Sequence, residues 1–134
     1  MKNPNHPKPG QSIRVDPIRS REDILRIKQL LADQPRNLAL FTLGINTNLR
    51  TSDLVDIKVG QIRGLEVGEH FLVREKKTKK QRQITLNASV AQAIENLLLT
   101  MPNANANDPL FQSRKGGGQL TIPTIHALVK GWCR

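Results

Sequence analysis

The apolar pattern of this chain changes period once, and the change lies within residues 60–86. On either side of that segment apolar residues recur at helical spacing. Within it, "GQIRGLEVGE", "HFLVRE", "KTKKQ" and "RQITL" are short β-prone runs divided by turn residues. A chain patterned in this way has to set a small antiparallel sheet between helices. The spacing predicts a three-stranded meander, flanked by helices near 20–33, 36–44, 51–56, 87–101 and 122–132. The expected fold class is α+β, mainly helical with a small three-stranded antiparallel sheet.

The helical segments carry their own punctuation. Ser20 is placed to cap the first, with Asp23 three residues on, and Ile24, Ile27, Leu30 and Leu31 make its apolar face. Pro35 ends that pattern. The next helix is apolar most of the way round and is expected to be central. Residues 44–48 read as a turn. Thr51 then caps a short helix that carries Leu54 and Val55, with Asp53 in its first turn. Asn87 caps a helix whose Val90, Ile94, Leu97, Leu98 and Met101 share a face. "PNANANDP" is a loop, and "LFQSRKGGGQLT" is an apolar anchor followed by a Gly-rich turn. Thr121 caps the last helix, lined inward by Ile122, Ile125, Val129 and Trp132. Residues 1–16, with Pro4, Pro7 and Pro9 close together, read as a flexible basic arm, and residues 17–134 as one domain.

Charge narrows the partner. With 21 Lys and Arg against 11 Asp and Glu, the formal net charge is +10. That excess argues for a polyanionic partner, most often nucleic acid. A single cysteine, Cys133, allows no internal disulfide, so a reducing cytoplasm is the default compartment. No stretch reaches the roughly 20 apolar residues of a membrane span, and the first residues have no signal-peptide core. Three scattered histidines and one cysteine have no metal-ligand spacing. Neither a metal nor a cofactor is expected.

Two places carry candidate chemistry. Arg50 sits between apolar flanks, Leu49 and Leu54, with Asp53 three residues on, where a carboxylate can hold its guanidinium. An arginine oriented in this way suits a forked grip on phosphate. The second place is "REKKTKKQR", which sets Arg74, Lys76, Lys77, Lys79, Lys80 and Arg82 against Glu75 alone. Six cations in nine residues favour phosphate contact over an ordinary solvated turn. A lysine at a hairpin tip can also act as a general acid toward a scissile phosphate.

Taken together, "LFTLGINTNLRTSDLVDIKVGQI" resembles the first active-site box of the tyrosine recombinases, or phage integrases. "REKKTKKQRQITL" resembles the β-hairpin that follows in that family. "DPLFQSRKGGGQLTIPTIHALVKGWC" resembles the segment just ahead of the second box, and "DPIRSREDILRIKQLL" the start of the catalytic domain. The resemblance covers about residues 16–134. It implies that Arg50 is the first catalytic arginine, that Asp53 positions it, and that Lys77, beside Thr78, protonates the leaving 5′ oxygen. Lys76 and Lys79 remain alternatives for that lysine, and Arg74, Lys76, Lys79, Lys80 and Arg82 would contact double-stranded DNA. The family reaction breaks and rejoins DNA through a phosphotyrosine, without ATP or metal.

Two family features are missing from these residues. No His-x-x-Arg motif is present: His126 is followed three residues on by Val129. The chain contains no tyrosine. The expectation is the first part of a recombinase catalytic domain, inactive by itself, without the usual N-terminal clamping domain. Assembly on DNA is expected only of a complete protein. A non-catalytic DNA-binding module, or a truncated recombinase remnant, is the alternative. An RNA-binding basic domain is disfavoured by the low aromatic content.

Overall fold

The computed structural model describes residues 20–113 and 118–133. The expected arm at 1–16 and most of the Gly-rich turn, 114–117, lie outside the described residues. Six helices and one hairpin are present in the described part: α1 (Arg21–Leu30), α2 (Pro35–Thr47), α3 (Thr51–Leu54), α4 (Val59–Ile62), β1 (His70–Arg74), β2 (Gln81–Thr85), α5 (Ala88–Leu99) and α6 (Ile122–Trp132).

α2 is the central element, as its apolar circumference requires. Pro35 opens it at a position where the missing N–H costs nothing. Ala39, Leu40, Phe41 and Leu43 are all buried, and the helix packs chiefly on α5. α5 answers with Val90, Ala93, Ile94 and Leu97. Asn87 caps it by accepting the Val90 N–H at 2.9 Å. α1 is capped by the Ser20 hydroxyl, which accepts the Asp23 N–H at 3.1 Å. It buries Ile27, while Leu30 is half exposed and not part of the inner face. Thr121 caps α6 in the same manner, and Phe41 meets Trp132 edge-on with ring centroids 6.1 Å apart.

Three expectations change. The chain does not turn at 44–48; α2 continues to Thr47 and reverses at Asn48, which takes the left-handed conformation (φ 56°). The polar residues there bond back onto their own helix: Asn46 Nδ2 donates to Thr42 O at 2.8 Å and Thr47 Oγ1 to Leu43 O at 2.7 Å. Thr51 is the first residue of α3, and Arg50 holds the N-cap position without a side-chain cap.

The sheet has two strands among the described residues, not three. The run placed first in the meander begins as the helical turn α4. Gln61 explains why. Its Oε1 accepts the Lys58 N–H at 2.8 Å while its Nε2 donates to Leu72 O at 3.0 Å, which closes a turn and ties it to β1. Gly64 and Gly68, at φ 85° and 91°, then bend the chain into the hairpin. β1 and β2 are antiparallel, with Phe71 opposite Ile84 and Val73 opposite Arg82. Phe71, Val73 and Ile84 enter the core.

The loop after α5 is stitched to the start of α4 and the residues just before it. Leu110 N–H donates to Ile57 O, Val59 N–H to Asp108 O and Gly60 N–H to Ala106 O, each at 2.9 Å. Only glycine fits at position 60, because a Cβ there would stand 2.7 Å from Ala106 Cβ. Leu110 and Phe111 are fully buried and anchor the segment as expected.

Candidate nucleic-acid interface

α1, α2, α3, α6 and the hairpin tip enclose one concavity of about 780 Å³. Its floor is apolar, with Leu40, Phe41, Leu54, Ile125 and Trp132 among its lining. Its polar side carries Arg50, Lys77 and His126. The two residues singled out in separate segments, Arg50 and Lys77, therefore face the same space.

Arg50 leaves α2 and enters α3 in extended conformation (φ −70°, ψ 153°), held by buried Leu49 and Leu54 on either side. Its side chain is exposed, although its neighbours Leu49 and Leu54 are buried. Nor does its guanidinium pair with Asp53; among the described residues it has no hydrogen-bond or ion-pair partner. The reason is the direction taken by Asp53. That side chain points inward, 2 % exposed, and its Oδ1 accepts the backbone N–H of Lys76 at 3.0 Å. Its Oδ2 is buried without a partner among the described residues. Asp53 thus holds the hairpin rather than the arginine.

The hairpin tip is a tight loop closed by its own backbone. Glu75 N–H donates to Lys80 O at 2.9 Å and Lys79 N–H to Glu75 O at 2.8 Å, with Lys79 left-handed at φ 61°. Thr78 Oγ1 donates to Glu75 Oε1 at 3.3 Å. The lysines take different places. Lys76 Nζ pairs with Asp56 Oδ2 at 2.8 Å, and that hydrogen-bonded carboxylate raises the lysine above its ordinary pKa. Lys77 has no such partner among the described residues and lines the concavity. Lys79, Lys80 and Arg74 are exposed. Arg82 is half-buried, and its Nη2 donates to Thr47 O at 2.9 Å, so it ties β2 to the end of α2.

The sequence reading missed Asp56. Its signal was present, since it lies one turn beyond Asp53 in "TSDLVDI" and opposite a lysine-rich hairpin, but no local pattern names the lysine it meets. His126 is exposed on α6 and lines the same groove. Cys133, half-buried at the end of α6, is a free thiol whose pKa burial pushes up. Among the described residues no group of His, Cys, Asp and Glu gathers in a way that suits a metal ion, and no helix is long and apolar enough to cross a membrane.

An exposed guanidinium and an unpaired ammonium over an apolar floor have the chemistry to hold an oxyanion. The guanidinium supplies a planar fork for two oxygens and the ammonium a movable donor.

Comparison with known proteins identifies the family and the fold. The family model described as the phage integrase family matches residues 20–134. A probable integrase/recombinase, YoeC of Bacillus subtilis (strain 168), is 38 % identical over 100 residues, which is 74 % of this chain and 52 % of YoeC. The chain thus spans about half the length of that relative. Among solved structures, XerA recombinase superposes with a TM-score of 0.70 at 19 % identity, over 85 % of this chain and 41 % of XerA. XerH site-specific recombinase, solved bound to its difH substrate before cleavage, gives 0.64 at 18 % identity, over 85 % of this chain and 35 % of XerH.

Proposed function

The chain belongs to the phage integrase family, and we propose that its Arg50–Lys77 groove binds a backbone phosphate of double-stranded DNA as the phosphate-holding part of a strand-exchange site. One observation carries the reading. Arg50, at the start of α3, and Lys77, at the hairpin tip, come from separate elements and line one concavity. The likeness in fold to lambda integrase solved bound to DNA (TM-score 0.62) supports DNA as the polyanion that a net charge of +10 calls for.

In this reading Arg50 takes two non-bridging oxygens of the scissile phosphate and stabilises the charge that grows on them during attack. Lys77 gives its proton to the departing 5′ oxygen. Arg74, Lys79 and Lys80 neutralise neighbouring phosphates and fix the register of the duplex. Asp53 acts on the hairpin through Lys76 N–H. The oxygen that attacks phosphorus in this family belongs to a tyrosine, and these 134 residues contain none. The chain by itself therefore binds and orients the phosphate without cutting. A second reading of the same groove is a non-catalytic DNA-binding module built on the recombinase fold.

The test has two arms. Affinity for a short duplex, measured across a salt series, falls with a log–log slope that shrinks by roughly 0.9 for each phosphate contact removed. Arg50→Ala and Lys77→Gln should each flatten it. Incubation with a nicked suicide duplex, followed by denaturing electrophoresis, should give no covalent adduct. A covalent band lost in Arg50→Ala would replace this reading with one that has a nucleophile other than tyrosine. Unchanged binding in both variants would remove the groove from the footprint.

A further inference from the structure

We infer that Asp56 is a positioning residue for the groove: by pairing with Lys76 it fixes the hairpin tip so that the neighbouring Lys77 stays in the concavity that Arg50 also lines. The inference rests on the phosphate-binding reading above, and it concerns how that site is assembled.

The tip needs an outside anchor. Residues 75–80 are held to one another by four short-range contacts, Glu75–Lys80, Lys79–Glu75, Thr78–Glu75 and Lys80–Thr78. Those contacts shape the loop without saying where it points. Lys77 itself has no hydrogen-bond or ion-pair partner among the described residues. Its location is inherited from Lys76, one trans peptide away, about 3.8 Å between Cα atoms. Lys76 is the residue of the tip that is fastened to α3 and its continuation, and it is fastened twice. Its N–H donates to Asp53 Oδ1 and its ammonium to Asp56 Oδ2.

Asp56 is built to receive it. Gln119 Nε2 donates to the second carboxylate oxygen, Asp56 Oδ1, at 2.8 Å. The carboxylate is thus held from the strand ahead of α6 on one side while it takes Lys76 on the other. Gln119, Asp56 and Lys76 form one chain of polar contacts from the α6 side of the groove to the hairpin. The raised pKa of Lys76 agrees with a carboxylate kept in place. The pairing also sorts two adjacent lysines. Lys76 is neutralised and structural, and Lys77 keeps its charge for the groove.

A solvent-exposed ion pair adds little to global stability, so the effect belongs to the tip. Charge alone predicts the opposite sign from positioning. Removing a carboxylate from a chain of net charge +10 tightens DNA binding by bulk electrostatics, whereas loss of the anchor weakens the share supplied by Lys77.

The experiment compares the wild-type chain with Asp56→Ala, Lys76→Gln and the charge-swapped double variant Asp56→Lys/Lys76→Asp. Each is studied with and without Lys77→Gln. Amide hydrogen exchange at Lys76 and Lys79 reports the tip in the free protein. Affinity for a short duplex reports the groove. The inference expects faster exchange at both amides in the single variants, with protection restored in the swap. It expects Lys77→Gln to weaken binding several-fold in the wild type and in the swap, and to lose most of that effect when the pair is broken. Unchanged amide protection in Asp56→Ala and Lys76→Gln would overturn it. So would a Lys77 effect of the same size in every background. Should Lys77→Gln have no effect even in the wild type, the phosphate-site reading fails and the positioning role with it, whatever the exchange data show.

Discussion

The base and the tip of the hairpin are held by different forces. At the base, Phe71, Val73 and Ile84 are buried in the same apolar cluster as α2 and α5. At the tip, residues 76–80 are exposed, and polar contacts to α3 and to residue 56 do the fastening. Close-packed apolar side chains resist even small shifts. An exposed ion pair is worth little and gives way readily to water. A hairpin with an apolar base and a polar tip is therefore rigid where it joins the domain and adjustable where it would meet a ligand. Placing Lys77 on the adjustable end, in the concavity that Arg50 also lines, suits the proton-donor role proposed for it.

Mutations should separate the two ends. Phe71→Ala, at the base, should produce the largest loss, about 3–5 kcal/mol of unfolding free energy by urea denaturation. It should speed amide exchange throughout the domain. Asp53→Ala, beneath the tip, should cost about 1–3 kcal/mol through loss of a buried acceptor, with the fastest gain in exchange at Lys76. If its effect spread evenly over α2 and α5, the tip would be part of the core and the contrast would fail. Arg82→Gln removes one tie between β2 and Thr47 O and should cost about 0.5–1.5 kcal/mol by the same measurement. Its effect should be confined to the junction of β2 with the end of α2.

The same contrast explains what the sequence could show. α5, α6 and the caps at Ser20, Asn87 and Thr121 follow from periodicity and side-chain chemistry that act within four residues. The interior of α2 followed as well, but its end did not, because Asn46 and Thr47 read as turn residues until their side chains are seen bonding back to Thr42 and Leu43. α4 was misread as strand for a comparable reason: the turn depends on Gln61 reaching Leu72, eleven residues on. Of the candidate site, Arg50 and the basic hairpin were legible as local patterns. Their meeting in one groove was implied only by family resemblance. The partner of Asp53 was misassigned because spacing along a helix suggested Arg50, and the tertiary fold delivered the Lys76 N–H instead. Asp56 was visible one turn beyond Asp53, but its contacts with Lys76 and Gln119 are long-range and had no local signature.

The central claim is that Arg50 and Lys77 grip one phosphate. A double-mutant cycle on duplex affinity at fixed salt, using Arg50→Ala, Lys77→Gln and the double variant, tests it most directly. Two side chains sharing a phosphate should couple, so the double variant should lose less than the two single losses added together. Strictly additive losses would place the residues on separate phosphates, and wild-type affinity in Arg50→Ala would contradict the account outright.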